Sequence, residues 1–165
     1  MLSLWLREPH VQDWWPDPSS LDALEDKYGE VVDGTDPTEI FVVERCGAPI
    51  GLIQRYLLAD NPDWHGALTV AGVPQRTAGI DYLIGVPGLI GQGIGAVMID
   101  SFVRDTFEQH PHVTAIVVSV QQANRRSWRA LEKASFERTY AGTIESDDPS
   151  DAGPCFVYVR RRDTI

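Results

Sequence analysis

Five residues near the middle of the chain, Gly91-Gln92-Gly93-Ile94-Gly95, set the strongest constraint on the fold. They follow a short apolar stretch and lead into the apolar segment that begins Ala96-Val97-Met98, so glycines are predicted to join a strand to a helix. Glycines let a backbone approach a ligand closely, and the start of a helix attracts anions. We call this segment the glycine cradle and predict that it holds a phosphate-bearing cofactor, with an ordinary tight turn as the alternative.

The surroundings of the glycine cradle exclude two familiar phosphate-binding motifs. A dinucleotide fingerprint places its glycines after the first strand of a βαβ unit, with an acidic residue about 20 positions later, where this chain has the turn His110-Pro111-His112. A P-loop needs Lys-Ser or Lys-Thr after its last glycine, and this chain has Ala96-Val97 there. The glycine cradle alone therefore does not identify the cofactor.

Length, charge and cysteine content limit the kind of protein. The 165 residues, 43% of them hydrophobic, suffice for one domain over residues 1–165 with its own core. A formal net charge of −10 opposes nucleic-acid binding and fits either a cationic substrate or simple solubility. Cys46 and Cys155 form neither a disulfide framework nor a metal-ligand motif, so we expect a cytoplasmic protein without a metal site. The apolar start is too short for a membrane span.

Apolar periodicity and turn residues predict a mixture of helices and strands along the whole chain. The predicted order is a helix over 2–15 broken near Pro9, a helix over 20–28, an antiparallel hairpin of 39–44 and 49–58 turning at Cys46-Gly47-Ala48, a loop over 59–78, a strand over 79–86, a helix from the glycine cradle to about Gln109, a strand over 113–120, a helix over about 123–134, a strand from Phe136 and a last strand over 155–160. The nearly continuous apolar run 113–120 is typical of a strand buried on both faces.

Short motifs follow this order of elements along nearly the whole chain. They are Asp13-Trp14-Trp15, Pro49-Ile50-Gly51, Gln54-Arg55-Tyr56, Gly79-Ile80-Asp81, the glycine cradle, Asn124-Arg125-Arg126-Ser127 and Glu132-Lys133-Ala134 before Phe136. In this arrangement the chain resembles the GCN5-related N-acetyltransferase (GNAT) superfamily, and within it the aminoglycoside 6′-N-acetyltransferases. The resemblance implies an α/β (α+β) fold with a mixed central sheet of six or seven strands, helices on both faces, and strands that splay apart where acetyl-CoA binds.

The resemblance also assigns a set of residues to the acetyl-CoA cofactor. These are Leu83, Ile84, Gly85, Gly91, Gln92, Gly93, Ile94, Gly95, Asn124 and Ser127. The cradle would hold the pyrophosphate, and the pantetheine arm would pair with the strand before it. Main-chain N–H groups near Leu83 to Gly85, freed by a bulge, would stabilise the oxyanion, so Leu83 is also a predicted catalytic residue. Arg125, Arg126 and Arg129 either meet the adenine end of the cofactor or form a solvated helix face.

A second set of residues is predicted to bind the acceptor amine. It consists of Trp14, Trp15, Gln54, Tyr56, Asp63, Trp64, Asp81 and Ser119. By resemblance, Asp81 contacts the amine and acts as the base. An aspartate of ordinary pKa is a weak base toward an ammonium group, so either the surroundings raise the pKa of Asp81 or this side chain positions the ammonium. Aromatic faces and carboxylates together suit a polyamino sugar. The alternative for Trp14 and Trp15 is that they are core residues at the end of a helix.

Four positions depart from the pattern of the family. Leu131 occupies the usual place of a tyrosine that serves as general acid, which leaves water or another residue such as Tyr82 for that role. Ser119 replaces an aspartate that often binds an acceptor amine, Ser135 replaces a glycine, and Ile90 replaces an arginine or glutamine. The usual first strand also has no counterpart, so we expect a sheet that is one strand short or a start that lies upstream.

These observations favour an acetyl-CoA-dependent N-acetyltransferase that acts on a primary amine of a small cationic substrate, with the 6′-amine of an aminoglycoside as the favoured acceptor. Two alternatives remain: a degenerate acyl-CoA-binding module without catalysis, and an N-acyltransferase for a siderophore or lysine. Acetylation of a protein or peptide is less favoured, because the segment 59–78 is expected to cap an open groove. We expect a monomer or a homodimer without nucleic-acid or membrane partners.

Overall fold

The computed structural model describes residues 1–163, which form six helices and a six-stranded sheet. The helices are α1 (Leu2–Trp5), α2 (Pro9–Gln12), α3 (Leu21–Val32), α4 (Pro62–Leu68), α5 (Ile94–Gln109) and α6 (Arg125–Lys133). The strands are β1 (Glu39–Arg45), β2 (Ala48–Leu57), β3 (Thr77–Ile84), β4 (Ala115–Gln121), β5 (Glu137–Thr143) and β6 (Pro154–Arg161). Among the helices that the structure describes, none has the length and apolar character needed to span a bilayer.

The sheet has the strand order β1-β2-β3-β4-β6-β5, and every neighbouring pair is antiparallel except β3 and β4. The predicted hairpin of β1 and β2 is confirmed. Its two-residue turn consists of Cys46 and Gly47, with φ of +53° and +75°. Such a turn has positive φ at both positions because its twist then matches the twist of the flanking strands.

The parallel strands β3 and β4 are joined only at their beginnings. Three residues of β3, Thr77 to Gly79, pair with the first three of β4. Beyond them β3 continues to Ile84 along β2, and β4 continues to Gln121 along β6. The inner edges of the two strands therefore face an opening in the middle of the sheet, as the predicted splay requires.

Helices cover both faces of the sheet, as predicted. On one face α5 and α6 enclose a core that includes Ile80, Ile99 and Leu131, all fully buried. On the opposite face α1 and α2 cover one end of β3, where Trp5 packs with Leu83. The helix α4 covers the other end of that face, where Leu68 of α4 and Val157 of β6 belong to one buried cluster. The opening between β3 and β4 is thus bounded by packed elements above and below.

The prediction of a loop over residues 59–78 is wrong for the middle of that segment, which forms α4. Pro62 occupies the start of that helix, where the absence of a backbone N–H costs no hydrogen bond. Leu68, at its end, is fully buried, so tertiary packing stabilises a helix that the Gly and Pro content of the segment conceals. The predicted helix over 20–28 is extended to Val32, and its cap is Ser20, whose hydroxyl accepts the N–H of Ala23 at 3.3 Å.

Ser135, the residue found in place of the family's glycine, follows the end of α6 with φ of +63°. The N–H of Phe136 donates to the carbonyl of Leu131 at 3.0 Å, which is the bond that closes a helix through a left-handed residue. A glycine would adopt this backbone without strain. The departure therefore concerns the helix end and not the cofactor site.

Candidate active site

Asp81 lies on β3 just beyond the point where β3 and β4 separate. Its cross-strand neighbour on β2 is Gln54, whose Nε2 donates to Asp81 Oδ2 at 2.9 Å. Directly opposed residues of an antiparallel pair project to the same face, so the register itself brings the two side chains together. The carboxylate is thereby fixed in the wall of a cavity next to the open edge of β3.

Burial raises the pKa of Asp81 to about 6. The carboxylates of Asp151 and Asp148 push that pKa in the same direction, whereas the hydrogen bond from Gln54 and the ammonium of Lys27 oppose it. Removing water and adding nearby negative charge both disfavour a second anion. Asp81 is therefore a stronger base than an ordinary aspartate, as the first of the two alternatives for its role requires; that role stays a prediction.

The cavity beside Asp81 has a volume of about 1120 Å³. We call it the acceptor cavity. All eight predicted acceptor residues line it: Trp14, Trp15, Gln54, Tyr56, Asp63, Trp64, Asp81 and Ser119. The structure thus brings together residues from the segment after α2, from β2, β3 and β4, and from α4. Their role in binding an amine stays a prediction.

One wall of the acceptor cavity depends on the absence of a side chain at Gly79. A Cβ at this position would overlap the ring of Tyr56, which lies across the strand from it. The Tyr56 hydroxyl in turn accepts a hydrogen bond from Trp64 Nε1 at 3.2 Å. Gly79 therefore allows Tyr56 to lie flat against β3 and to hold the indole of α4.

Replacing Gly79 with alanine should displace Tyr56 and disturb this wall. Overpacking of this kind costs about 1–3 kcal/mol of folding stability. Because Tyr56 and Trp64 then leave their places in the cavity wall, we expect KM for an amine substrate to rise by about tenfold, which corresponds to about 1.4 kcal/mol of binding free energy. The matched control is Gly29→Ala in α3, where an added Cβ meets only Glu25 at 3.9 Å; it should leave KM unchanged. Equal KM values for the two variants would contradict this account of the wall.

Another part of the cavity wall is organised by Asp17, which the sequence did not reveal as a site residue. Its carboxylate accepts hydrogen bonds from Trp15 Nε1 at 2.7 Å, Lys27 Nζ at 2.7 Å and the Tyr28 hydroxyl at 3.0 Å. Trp15, Lys27 and Tyr28 all line the acceptor cavity. Asp17 lies in a Pro-rich segment without periodicity, so no pattern in the sequence connects it with Tyr28 on α3.

The acceptor cavity also has an acidic rim that sequence reasoning missed. Glu145, Asp147, Asp148 and Asp151 line it from the segment between β5 and β6, and Asp60 lines it from the side of α4. The hydrogen bond from Gln121 Nε2 to the carbonyl of Ser150 at 2.9 Å ties this segment to the end of β4. The sequence feature that could have indicated this rim is the clustering of acidic residues between 145 and 151. The rim gives the cavity a negative potential that suits a cationic ligand.

A second cavity of about 300 Å³ lies at the start of α5, and we call it the cofactor cavity. Gly91 and Gly93 have φ of +79° and +78°, and Gly93 is the N-cap of α5. The first backbone N–H groups of a helix have no partner within it, so the cradle presents donors at this cavity. Of the predicted cofactor residues, those that line it are Leu83, Ile84, Gly91, Gly93, Ile94, Gly95, Asn124 and Ser127.

Two predicted cofactor residues, Gln92 and Gly85, are absent from this lining. The Gln92 side chain donates to the carbonyl of Gly88 at 2.6 Å, which stabilises the preceding turn. The N–H of Gly85 donates to the carbonyl of Ile50 at 2.8 Å, and a Cβ at Gly85 would overlap the ring of Trp5. Gly85 is therefore needed for packing, and its N–H is unavailable to a ligand.

The main-chain donors on the open edge of β3 differ from those predicted. No bulge frees them, because β2 and β3 pair without a register shift from Leu57 to Gly51. Hydrogen-bonded and non-bonded pairs alternate along an antiparallel ladder. Because the N–H of Gly85 donates to β2, the N–H of Leu83, two residues earlier, faces β2 as well. The N–H groups of Tyr82 and Ile84 face the opening instead. Of the donors predicted at Leu83 to Gly85, Ile84 therefore faces the opening and the other two do not, and Tyr82 is a donor outside the predicted range.

The cofactor cavity has the charge and shape that fit a diphosphate with a long flexible arm. Arg126, Arg129 and Lys133 line it from α6 and supply positive charge beside the cradle. His10, which the sequence did not indicate, also lines it and donates from Nε2 to the carbonyl of Ile84 at 2.9 Å. The unpaired edge of β3 offers further main-chain groups to an extended arm. These residues fit the diphosphate and pantetheine of coenzyme A.

The sequence profile of the acetyltransferase (GNAT) domain matches residues 1–144 of the chain. The chain belongs to the GNAT acetyltransferase family. Among curated protein sequences, none matches it. As a GNAT acetyltransferase, it uses acetyl-CoA as the acetyl donor.

Solved structures of other acetyltransferases are similar to this GNAT enzyme over almost its whole length. One is the aminoglycoside acetyltransferase AAC(6′)-Ib in complex with coenzyme A and kanamycin, at 29% identity and a TM-score of 0.82, covering 98% of this chain and 88% of that one. Another is AAC(6′)-Ib in complex with ribostamycin and coenzyme A, at 28% identity and a TM-score of 0.81, covering 98% and 87%. A spermidine N-acetyltransferase chimera from Vibrio cholerae and hSSAT, at 17% identity and a TM-score of 0.70 over 97% and 87%, shares the fold.

Leu131, at the position where the family usually has a tyrosine, is fully buried among core residues of α5 and α6. It lines neither cavity. The GNAT enzyme therefore lacks a proton donor at this position, and the side chain that stands there stabilises the fold.

Proposed function

We propose that this GNAT enzyme transfers the acetyl group of acetyl-CoA to a primary amine of a small polycationic substrate, with the 6′-amine of an aminoglycoside as the best candidate. The observation that carries the proposal is the position of Asp81. Its half-buried carboxylate, with a pKa raised to about 6, lies where the open edge of β3 meets a large cavity with aromatic walls and an acidic rim.

The chemistry follows from the side chains and amides around this point. Asp81 orients the amine and accepts the proton that the nitrogen loses as it attacks the thioester carbonyl. The N–H groups of Tyr82 and Ile84 donate to the oxygen that becomes negative in the transition state. Acetyl-CoA would supply an activated acyl group when bound, and the glycine cradle with Arg126 and Lys133 would hold its diphosphate and direct the acyl group toward the open edge.

Substrate size and charge support a polyamino sugar. The indole and phenol rings of the acceptor cavity offer flat apolar faces for sugar rings, and the acidic rim offers partners for several ammonium groups. The AAC(6′)-Ib structures at 28–29% identity contain kanamycin or ribostamycin, which are ligands of this chemical type. A spermidine acetyltransferase with the same fold makes linear polyamines a natural comparison in the test.

The test is release of free thiol from acetyl-CoA by the purified protein in the presence of single amines. The panel should include kanamycin, ribostamycin, spermidine, lysine and a lysine-containing peptide. We expect turnover with the aminoglycosides at a kcat/KM at least about tenfold above that with spermidine or lysine, and mass spectrometry of the product should place the acetyl group on the 6′-nitrogen. Absence of turnover with every amine, together with retained coenzyme A binding, would instead identify a non-catalytic acyl-CoA-binding module.

The acidic rim should control both affinity and pH dependence. In the double variant Asp148→Asn/Asp151→Asn, loss of two charges should raise KM for kanamycin by about tenfold at low ionic strength and less at high salt. Because both carboxylates raise the pKa of Asp81, the acid limb of kcat/KM should move to lower pH. The matched control is Asp22→Asn/Glu25→Gln on the exposed side of α3. This control variant has the same net charge as the rim variant. Identical KM and pH profiles in both double variants would contradict the role of the rim.

A further inference from the structure

The acceptor cavity and the cofactor cavity meet beside the open edge of β3. The residues that line both are Trp14, Trp15, Tyr82, Asn124 and Ser127. Indole, amide and aliphatic hydroxyl groups do not titrate in proteins, whereas a phenol does. Among the residues that the structure describes at this junction, Tyr82 is therefore the one that can transfer a proton.

The Tyr82 hydroxyl is held in place from the opposite side of the opening. It lies 2.7 Å from Ser127 Oγ, in the first turn of α6. That turn is fixed by Asn124, whose Oδ1 accepts the N–H of Ser127 at 3.2 Å. A strand and a capped helix end thus determine the position of the phenol, and the hydrogen bond joins the two sides of the opening at the boundary between the cavities.

Asp81 and Tyr82 are consecutive in β3, so their side chains project to opposite faces of the sheet. Asp81 is bonded to Gln54 on the face of the acceptor cavity, whereas Tyr82 packs on the face of α5 and α6 together with Ile80 and Ile84. An acyl group at the main-chain edge between them has a base on one side and an acid on the other. Acyl transfer from a thioester to an amine requires both, because nitrogen loses a proton and sulfur gains one.

We propose that Tyr82 is the general acid of the reaction and donates its phenol proton to the departing sulfur of coenzyme A. This inference rests on the acetyl transfer proposed above. In the step, a bond forms between the amine nitrogen and the acetyl carbon, and the bond from that carbon to sulfur breaks with its electron pair remaining on sulfur. Tyr82 supplies the proton to sulfur, and Asp81 accepts the proton from nitrogen. Solvent then returns a proton to the Tyr82 phenolate through Ser127 and removes one from Asp81.

The surroundings of Tyr82 keep its proton in place until the sulfur develops charge. Burial raises the pKa of the phenol, although the hydrogen bond with Ser127 opposes this effect. The hydroxyl therefore remains a donor over the whole neutral range. A fixed donor directed at a developing anion stabilises the transition state more than the ground state.

The activity test compares Tyr82→Phe with a phenol-to-phenyl control elsewhere. In Tyr82→Phe, kcat should fall by about 10²-fold, while KM for the amine and Kd for coenzyme A stay within about twofold of the wild-type values. The control is Tyr158→Phe: Tyr158 is fully buried, donates to Glu132 Oε1 at 2.9 Å and lines neither cavity. Its kcat should remain near that of the wild type. Ser127→Ala keeps the phenol but removes its partner, and should give a kcat between those of the wild type and Tyr82→Phe.

A readout independent of turnover is the pKa of the coenzyme A thiol in its complex with the protein, followed by ultraviolet absorbance of the thiolate. A phenol that donates to sulfur stabilises the thiolate, so the bound thiol should titrate at lower pH in the wild type than in Tyr82→Phe. Equal thiol pKa values, or a kcat of Tyr82→Phe close to that of the wild type, would overturn the role of Tyr82 and leave the acetyl transfer intact. A wild-type protein that turns over no amine would reject both proposals.

Discussion

Replacing Asp81 with asparagine is expected to lower kcat/KM for every accepted amine by about 10²- to 10⁴-fold, which is the usual contribution of a general base. Asparagine has the same shape, and its side-chain oxygen can still accept the hydrogen bond that Gln54 donates at 2.9 Å. It cannot take a proton or pair with an ammonium group. Because Asp81 lines the acceptor cavity and not the cofactor cavity, calorimetry should give an unchanged Kd for coenzyme A.

The pH profile separates a base from a residue that only positions the amine. Since burial raises the pKa of Asp81 to about 6, the wild-type kcat/KM should rise with pH through a midpoint near that value, as the carboxyl loses its proton. The residual activity of Asp81→Asn should lack this limb. Identical profiles for the two proteins, or turnover by Asp81→Asn close to that of the wild type, would rule out Asp81 as the base.

Thermal unfolding provides the folding control for this variant. The pKa of Asp81 is higher in the folded protein than the ordinary value of an aspartate. Such a carboxyl destabilises the fold at pH values above its folded pKa, and this effect disappears as the pH falls below the ordinary aspartate range. Asparagine carries no charge at any of these pH values. We therefore expect Asp81→Asn to have a Tm at pH 7 at least as high as that of the wild type, so that lost activity cannot be assigned to unfolding.

The parts of the fold that the sequence predicted are those in which local and tertiary preferences agree. The two-residue turn at Cys46-Gly47 has left-handed backbone at both positions, a conformation that glycine favours. The glycine cradle begins α5, and the run that became β4 is apolar because both of its faces are covered. In each case one short stretch of sequence is enough to predict the local structure.

The parts that the sequence missed depend on residues that are distant in the chain. The helix α4 exists because Leu68 is buried beneath the sheet, and nothing in its own Gly- and Pro-rich segment indicates that burial. Asp17 gains its role only because Trp15 and Tyr28 meet around it. The choice between Leu83 and its neighbours as main-chain donors is set by which side of β3 pairs with β2. A shift of one residue reverses that direction, so a motif alone cannot resolve it.

The acceptor and cofactor cavities also depend on one polar cluster on the far face of the sheet, around Arg55. This residue follows Gln54 in β2, and its side chain is only 6% exposed. Its Nε and Nη2 donate to both carboxylate oxygens of Glu39 at 2.7 and 3.1 Å, and its Nη1 donates to Asp105 at 2.7 Å and to Thr106 Oγ1 at 3.3 Å. Asp105 and Thr106 belong to α5, so Arg55 fastens the helix of the glycine cradle to the strand that carries Gln54.

Replacing Arg55 with alanine should lower the free energy of unfolding by about 3–5 kcal/mol, since it removes a buried, multiply bonded group and leaves a cavity. The guanidinium also lies over the rings of Phe41 and Phe102, at 5.1 and 5.4 Å from their centroids, and these contacts are lost with it. Urea unfolding at constant pH measures the change. The matched control is Arg104→Ala, whose side chain is 74% exposed and pairs with Asp100 one turn earlier in α5.

The control should change stability by no more than about 0.5 kcal/mol, because an exposed pair of this kind contributes little. A third variant, Arg55→Met, keeps an unbranched apolar chain against the two rings and separates packing from charge. If packing dominates, Arg55→Met should recover most of the loss, as replacement of a buried ion pair by an apolar residue often does. If the hydrogen bonds that join α5 to β2 dominate, the free energy of unfolding of Arg55→Met stays low. Its Kd for coenzyme A then rises, because the glycine cradle moves relative to β3. Equal stabilities of Arg55→Ala and Arg104→Ala would contradict both explanations.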